Sequence, residues 1–533
     1  MAPVLFLMRV SRGIAAFCTA LLLACRHATP DPAPYDVVIQ HGTLIDGSGA
    51  ARQALDVAVR GDRIVRIAAN IPANNARRVI DATGLVVAPG FVEPHAHISD
   101  IAAHPDAENF LHQGITTIVA SLHSMDQPYP LGAFLDTLHV APNTAWTAGH
   151  TWMRKRVMGL DNRAPSNAEL ATMESLVSDA MRDGAYGLGT GLEYTPANFS
   201  RTDEIVDLAR ASARPHAIYV THLRDEGEAL IPAIDEALTI GRAAGVPVHI
   251  SHLKVTGAAN WGRSARVLQL LDSATRAGTR TSFDVYPYLA YSTYSDLMFP
   301  PWALAGGTSA FASRAADPAT HARLIAEMRS MFRAQTGNTL ESVQFRVHPT
   351  QPLLNGKTLA DHLRAQGQPL TLDAGLEALV ALQSAGGFTG VFYGMADQDL
   401  DVFLQHPMAS VSSDGDLVTP GIGFPHPRSY GAFPRVLARY VRERHLLTLE
   451  SAIHKMTGVP AAMIGLPERG LLREGNFADI VIFDADRIGD RATYADPHQY
   501  SEGVIHLFVN GIAVLNAGLP TQARPGRPIR RPE

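Results

Sequence analysis

Eight short apolar runs recur through the middle of this chain, with helical segments between several of them, and few folds accommodate that alternation. The runs are LVVAPGFVEP, ITTIVASL, TAWTAGH, GAYGLGTG, AIYVTHL, VPVHISHL, RTSFDVYPY and ASVSSDG. In the intervening segments NAELATMESLVSDAMRDG and ALIPAIDEALTIGRAAG, apolar residues recur at three- and four-residue spacing before a terminal glycine, the pattern of an amphipathic helix. Strands alternating with helices predict an α/β fold with a parallel sheet, and eight strands are the number that closes a (β/α)8 barrel. The barrel is expected over 89–465. Before and after it, hairpin-like runs such as YDVVIQHGTLIDGSG and NFADIVIFDA predict one small β-sandwich assembled from 35–88 and 466–530. The stretch 289–405 is too long for a simple connection and is read as an inserted lid subdomain.

Polar residues close several of these apolar runs. His95 and His97 stand one residue apart in GFVEPHAH; on one strand, residues i and i+2 face the same side, so both imidazoles can reach a single ion. His222 ends the fifth run, His252 the sixth, and Asp414 follows the eighth in SSDG. In a parallel barrel the active site is built from the carboxyl ends of the strands. Histidines with a carboxylate, leaving one position for water, are the ligands of a hydrolytic zinc site. These residues therefore predict a metal-dependent hydrolase holding one or two Zn2+ ions, with Asp414 both binding metal and moving a proton.

Composition narrows the partners. With 46% hydrophobic and 18% charged residues and a formal net charge of −6, the chain has the makings of a large core and no basic stripe of the kind nucleic acid requires. A small-molecule substrate is expected. Near the amino terminus, Arg9 and Arg12 precede an apolar run from Ile14 to Ala24 that ends in Leu22-Leu23-Ala24-Cys25. That run is shorter than the roughly 20 residues of a membrane span and resembles a bacterial lipoprotein signal. Residues 1–24 are expected to be removed, Cys25 to be lipidated, and Arg26 suits an outer-membrane anchor facing the periplasm. Cys18 and Cys25 are the two cysteines of the sequence, so a chain cleaved before Cys25 has neither a disulfide nor a thiolate to spare for metal.

The chain resembles the amidohydrolase superfamily, and within it the N-acyl-D-amino acid deacylases, or D-aminoacylases. The resemblance runs through GFVEPHAH, GITTIVAS, GAYGLGTGLEYTP, YVTHLRDEG, ISHLKVTG, DVYPY, SSDG, FPHPRSYGAFPRVL, IHKMTGVPA and RGLLREGNFADIVIFD. It implies that His95 and His97 bind one metal, His222 and His252 another, and that Asp414 is the catalytic acid and base. It further implies that Tyr194, Lys254 and Arg428 grip the substrate carboxylate or the scissile carbonyl. One departure stands out. Where the family carries a cysteine ligand after the second strand, this chain reads ASLHS, with His123 at the aligned place. An imidazole does not bridge two ions as a thiolate can, so Glu193 in GTGLEY is the candidate bridging ligand, with a role behind a metal ligand or against the substrate as its alternative. His123 is left as a metal ligand, an orienting partner of Asp414 or a substrate contact. The alternatives are an amidohydrolase of cyclic amides, dipeptides or other acylated amines, and a lipoprotein that binds ligand without turnover.

Overall fold

The computed structural model describes residues 35–120 and 127–532. The expected signal segment with Cys18 and Cys25, and His123, lie outside the described residues. Among those residues, no helix is long and apolar enough to cross a membrane.

The eight apolar runs become eight parallel strands: Phe91–Ala96, Ile115–Ala120, Asn143–Trp146, Gly187–Gly191, Ile218–His222, Val248–Ile250, Thr281–Val285 and Ala409–Val411. The third resumes after Thr147 as Ala148–Gly149. Its first part pairs with the second strand and its last part with the fourth. The ring closes between the first and eighth strands. His97 N donates to Gly415 O at 2.8 Å, and His97 and Asp416 form a parallel bridge. Helices pack outside. The one at Asn167–Arg182 is started by a capping box, Ser166 with Glu169, and buries Met173, Leu176, Val177, Ala180 and Met181 toward the barrel. That stripe is the three- and four-residue spacing read in the sequence.

The run LVVAPGFVEP does not form one strand. Val86–Pro89 pairs antiparallel with Ile480–Phe483 and parallel with Thr43–Leu44, whereas Phe91–Ala96 enters the barrel. Gly90 stands at the changeover, where a Cβ would lie 2.2 Å from the Thr116 side chain. Only glycine lets the two backbones approach so closely. The flanking segments form a four-stranded sheet, ordered Arg63–Ala68, Asp56–Arg60, Tyr35–Gln40, Ala76–Asp81, and a seven-stranded sheet that includes Val86–Pro89, Ile480–Phe483 and Val504–Val509. Val37, Val57 and Ile64 of the first pack with Val87, Ile480 and Phe508 of the second. The tail departs from the expected sandwich: Thr144 N donates to Arg527 O and Ile529 N to Thr144 O, so residues 527–529 lie along the third barrel strand.

The inserted segment carries its own sheet, Ala290–Tyr294, Thr389–Tyr393 and Val343–Val347, and helices that include Pro318–Gln335 and Leu372–Ser384. It ends sooner than 405. The helix Asp397–Gln405 belongs to the barrel, because Phe403 packs edge-on against Phe283 of the seventh strand and Asp399 accepts from Gly262 N and Ser264 N.

A backbone test of the barrel is available at Gly187, the first residue of the fourth strand. Its φ is +144°, and a Cβ there would sit 1.8 Å from Ile218 O. Gly187→Ala is expected to cost about 3 kcal/mol or more in unfolding free energy, because backbone must move to relieve a clash that no rotamer change can reach. A denaturation midpoint equal to wild type would show that the fourth and fifth strands can part enough to admit a methyl group.

Candidate metal centre

The carboxyl ends of the strands bring two sets of ligands together. His95 Nε2 lies 3.4 Å and His97 Nε2 3.0 Å from Asp414 Oδ1. Arg428 Nη1 lies 2.7 Å from the other oxygen, Oδ2. Beneath them Glu93 is fully buried, accepting from His95 N at 2.9 Å and Ser413 N at 2.8 Å. It thereby ties the strand that bears the histidines to the one that leads to Asp414. Asp414 has a φ of +48° and His252 one of +37°, conformations that non-glycine residues adopt at an energetic cost and that cluster at functional sites.

In the second set His222 Nδ1 faces His252 Nε2 at 2.9 Å. The ring of His252 stands 4.8 Å from that of His95, which joins the two sets. The outward nitrogens are also engaged: His222 Nε2 lies 2.8 Å from Glu193 Oε2, and His252 Nδ1 lies 2.7 Å from Lys254 Nζ. Lys254 donates to both oxygens of Glu226 at 2.7 Å, and Glu226 Oε1 is 3.2 Å from His252 Nδ1. Asp284 accepts from His252 N at 2.9 Å and holds His249 Nε2 at 2.7 Å. A carboxylate on the outer nitrogen, Glu193 for His222 and Glu226 for His252, accepts an N–H there and leaves the facing nitrogen for metal.

Electrostatics favours metal over protons. Burial pushes the His222 imidazole down to about 4 and, with the Lys254 ammonium beside it, holds His252 well below the usual histidine range. Both therefore offer lone pairs at neutral pH. Burial alone would raise Asp414, but the Arg428 guanidinium and the neighbouring histidines outweigh it and hold the carboxyl well below its usual range. Glu193 moves the other way, driven up by burial and by the adjacent carboxylates of Glu226 and Asp225. Asp284 is brought down to about 2, burial being outweighed by its bond to His249.

Among the described residues, two groupings could hold an ion: His95, His97 and Asp414, and His222, Glu226 and His252. Imidazoles and carboxylates without a thiolate are a donor set that suits zinc. Glu193 belongs to neither grouping; its carboxylate lies against the outer nitrogen of His222 and accepts from Gln335 Nε2 at 3.0 Å. Lys254 also departs from the expected place. It is 2% exposed and committed to Glu226, whereas the adjoining cavity of about 320 Å³ is walled by His97, Tyr194, Ser292, Arg346, Asp416 and Arg428. Tyr194 and Arg428 thus line that cavity. The Tyr194 hydroxyl is 3.3 Å from His222 Nδ1. Sequence reasoning missed Glu93, Glu226, Asp284, Gln335 and Arg346. Of these Glu226 carried a signal, four residues beyond His222 in THLRDEG.

The family described as "Amidohydrolase family" matches residues 78–514. An N-acyl-D-aspartate deacylase of Alcaligenes xylosoxydans xylosoxydans is 36% identical over 523 residues, which are 93% of this chain and 95% of the relative. A D-aminoacylase of the same organism is 34% identical over 527 residues, 94% of this chain and 99% of the relative. The crystal structure of N-acyl-D-glutamate deacylase from Bordetella bronchiseptica, complexed with zinc and a phosphonate mimic of the tetrahedral intermediate, superposes with a TM-score of 0.79 at 32% identity. That match covers 93% of this chain and 99% of the other.

Proposed function

Because the chain belongs to the amidohydrolase family, we propose that it is a zinc-dependent hydrolase that cleaves N-acyl-D-amino acids to a carboxylate and a free D-amino acid. The observation that carries this reading is the meeting of two histidine sets and Asp414 at one barrel mouth, beside a cavity that contains Arg428. His95, His97, His222, His252 and Asp414 would hold the metal. A bound zinc ion supplies Lewis acidity to the amide carbonyl and to the attacking water. Asp414, ionised at neutral pH, accepts a proton from that water and returns it to the departing nitrogen. Arg428 keeps Asp414 ionised and places a fixed positive charge in the cavity wall, which suits an α-carboxylate. The Tyr194 hydroxyl is within reach of the same space. Glu193, held against the outer nitrogen of His222, orients that ring rather than bridging two ions.

The test is acid release by zinc-reconstituted protein from paired N-acetyl-D- and N-acetyl-L-amino acids, with a dihydropyrimidine as the cyclic-amide competitor. Hydrolysis of the D-series is expected. Turnover confined to L-amides or to the cyclic amide would overturn the assignment. His222→Ala and His252→Ala are each expected to lower the metal-to-protein ratio by elemental analysis, since each removes one of two facing nitrogens. Ratios equal to wild type in both would remove these residues from the ligand set.

Export as a lipoprotein is part of the same proposal, supported by the Arg9, Arg12 and Ile14–Cys25 pattern. Labelled palmitate incorporated by the wild type and lost in Cys25→Ala is the expected result; equal labelling of both would exclude lipidation at Cys25.

A further inference from the structure

We propose that Gln335, contributed by the inserted segment, is a positioning residue of the metal centre, acting on the His222 imidazole through Glu193. This inference rests on the metal reading of His222 and His252 and extends it to a residue far from any barrel strand. Gln335 is the last residue of the helix Pro318–Gln335 and is 6% exposed. Its amide nitrogen donates to Glu193 Oε1 at 3.0 Å, and Glu193 Oε2 lies 2.8 Å from His222 Nε2. His222 Nδ1, across the same ring, is the atom that faces His252.

Three further holds keep the glutamine in place. Its amide oxygen accepts from Thr256 Oγ1 at 3.2 Å, and its backbone carbonyl accepts from the Tyr291 hydroxyl at 2.7 Å. The backbone of Gly394 passes so close that a Cβ there would lie 2.5 Å from Gln335 O. The nitrogen end of the amide meets Glu193, and the hydroxyl of Thr256 satisfies the oxygen end. Each end of the side chain has a partner suited to one orientation.

The chemistry at this position is selective. Glu193 Oε1 meets Gln335 Nε2 and its Oε2 meets His222 Nε2, so each oxygen of the carboxyl group has a partner. An apolar residue at 335 would leave Glu193 Oε1 without its donor, and a glutamate would set a further acid against it. In either case the carboxylate is freed to turn, and the ring of His222 loses the partner that fixes its direction. Outer partners of ligating histidines typically contribute 10- to 100-fold to metal affinity. The insertion therefore reaches into the barrel mouth and sets a ligand.

The experiment is cobalt titration of the metal-free protein against a chromophoric chelator, with the visible spectrum of the bound ion recorded. Gln335→Met, close to glutamine in length, is expected to weaken cobalt binding about 10- to 100-fold and to change the spectrum. Thr256→Val and Tyr291→Phe each remove one hold while sparing the arm to Glu193, and a smaller loss than in Gln335→Met is expected in both. Wild-type affinity and spectrum in Gln335→Met would overturn the proposal, as would an equal loss in Thr256→Val, which would make Gln335 a packing residue. Should Gln335→Met fail to fold, Gln335→Glu keeps the volume and is read by the same criteria. A wild-type chain that binds no cobalt would instead overturn the metal reading on which the proposal rests.

Discussion

Asp414→Asn is expected to keep its metal and lose about 10²- to 10⁴-fold in kcat, the usual contribution of a positioned general base. The carboxylate sits 3.0 Å from His97 Nε2 and 2.7 Å from Arg428 Nη1. Asparagine preserves the shape and one coordinating oxygen but cannot take a proton from water. The φ of +48° at this position is no obstacle, since asparagine tolerates left-handed backbone about as well as aspartate. Elemental analysis and single-turnover kinetics on the same preparation separate the two effects. Near-normal turnover would reduce Asp414 to a turn residue; loss of metal together with activity would make it a ligand and nothing more.

Lys254→Met is expected to destabilise the protein by about 3–5 kcal/mol, the range for breaking a buried ion pair from one side. Lys254 is 2% exposed and Glu226 3% exposed, and the ammonium meets both carboxylate oxygens at 2.7 Å. Methionine fills the space but leaves Glu226 charged and unsolvated. The double variant Lys254→Met with Glu226→Gln is expected to recover much of the loss, because two neutral groups of similar volume carry no such penalty. Urea denaturation of the four proteins in the cycle decides it. If Lys254→Met proved as stable as wild type and lost only affinity for substrate carboxylates, the lysine would turn toward the cavity, as the family resemblance implied.

That contrast shows where sequence reading succeeds in this chain. His95, His97, His222, His252 and Asp414 were legible because each follows an apolar run, and strand geometry alone places such residues at a barrel mouth. Lys254 and Glu193 were legible as polar residues of the site, but not in their partners, because partners come from other strands. Whether Lys254 faces Glu226 or substrate depends on a loop after the fifth strand that carries no periodic signal. Gln335 and Arg346 were beyond reach for a stronger reason. They lie in the insertion, and nothing local to QTGN or QFRV says that Gln335 meets Glu193 or that Arg346 pairs with Asp416 at 2.7 Å. The run LVVAPGFVEP misled in a different way: its apolar character is continuous, but the chain changes sheets at Gly90, and hydrophobicity does not record which sheet a strand joins.

The changeover at Gly90 also orders events in time. Val86–Pro89 is flanked on one side by Ile480–Phe483, so the sheet that anchors the base of the histidine-bearing strand stays open until the carboxyl-terminal segment arrives. Contacts this distant in sequence close slowly. While the chain is still emerging from a ribosome, His95 and His97 hang from an unanchored strand with Asp414 not yet beside them. Capture of an ion by His95, His97 and Asp414 is then a late event, reserved for chains whose two ends have already met.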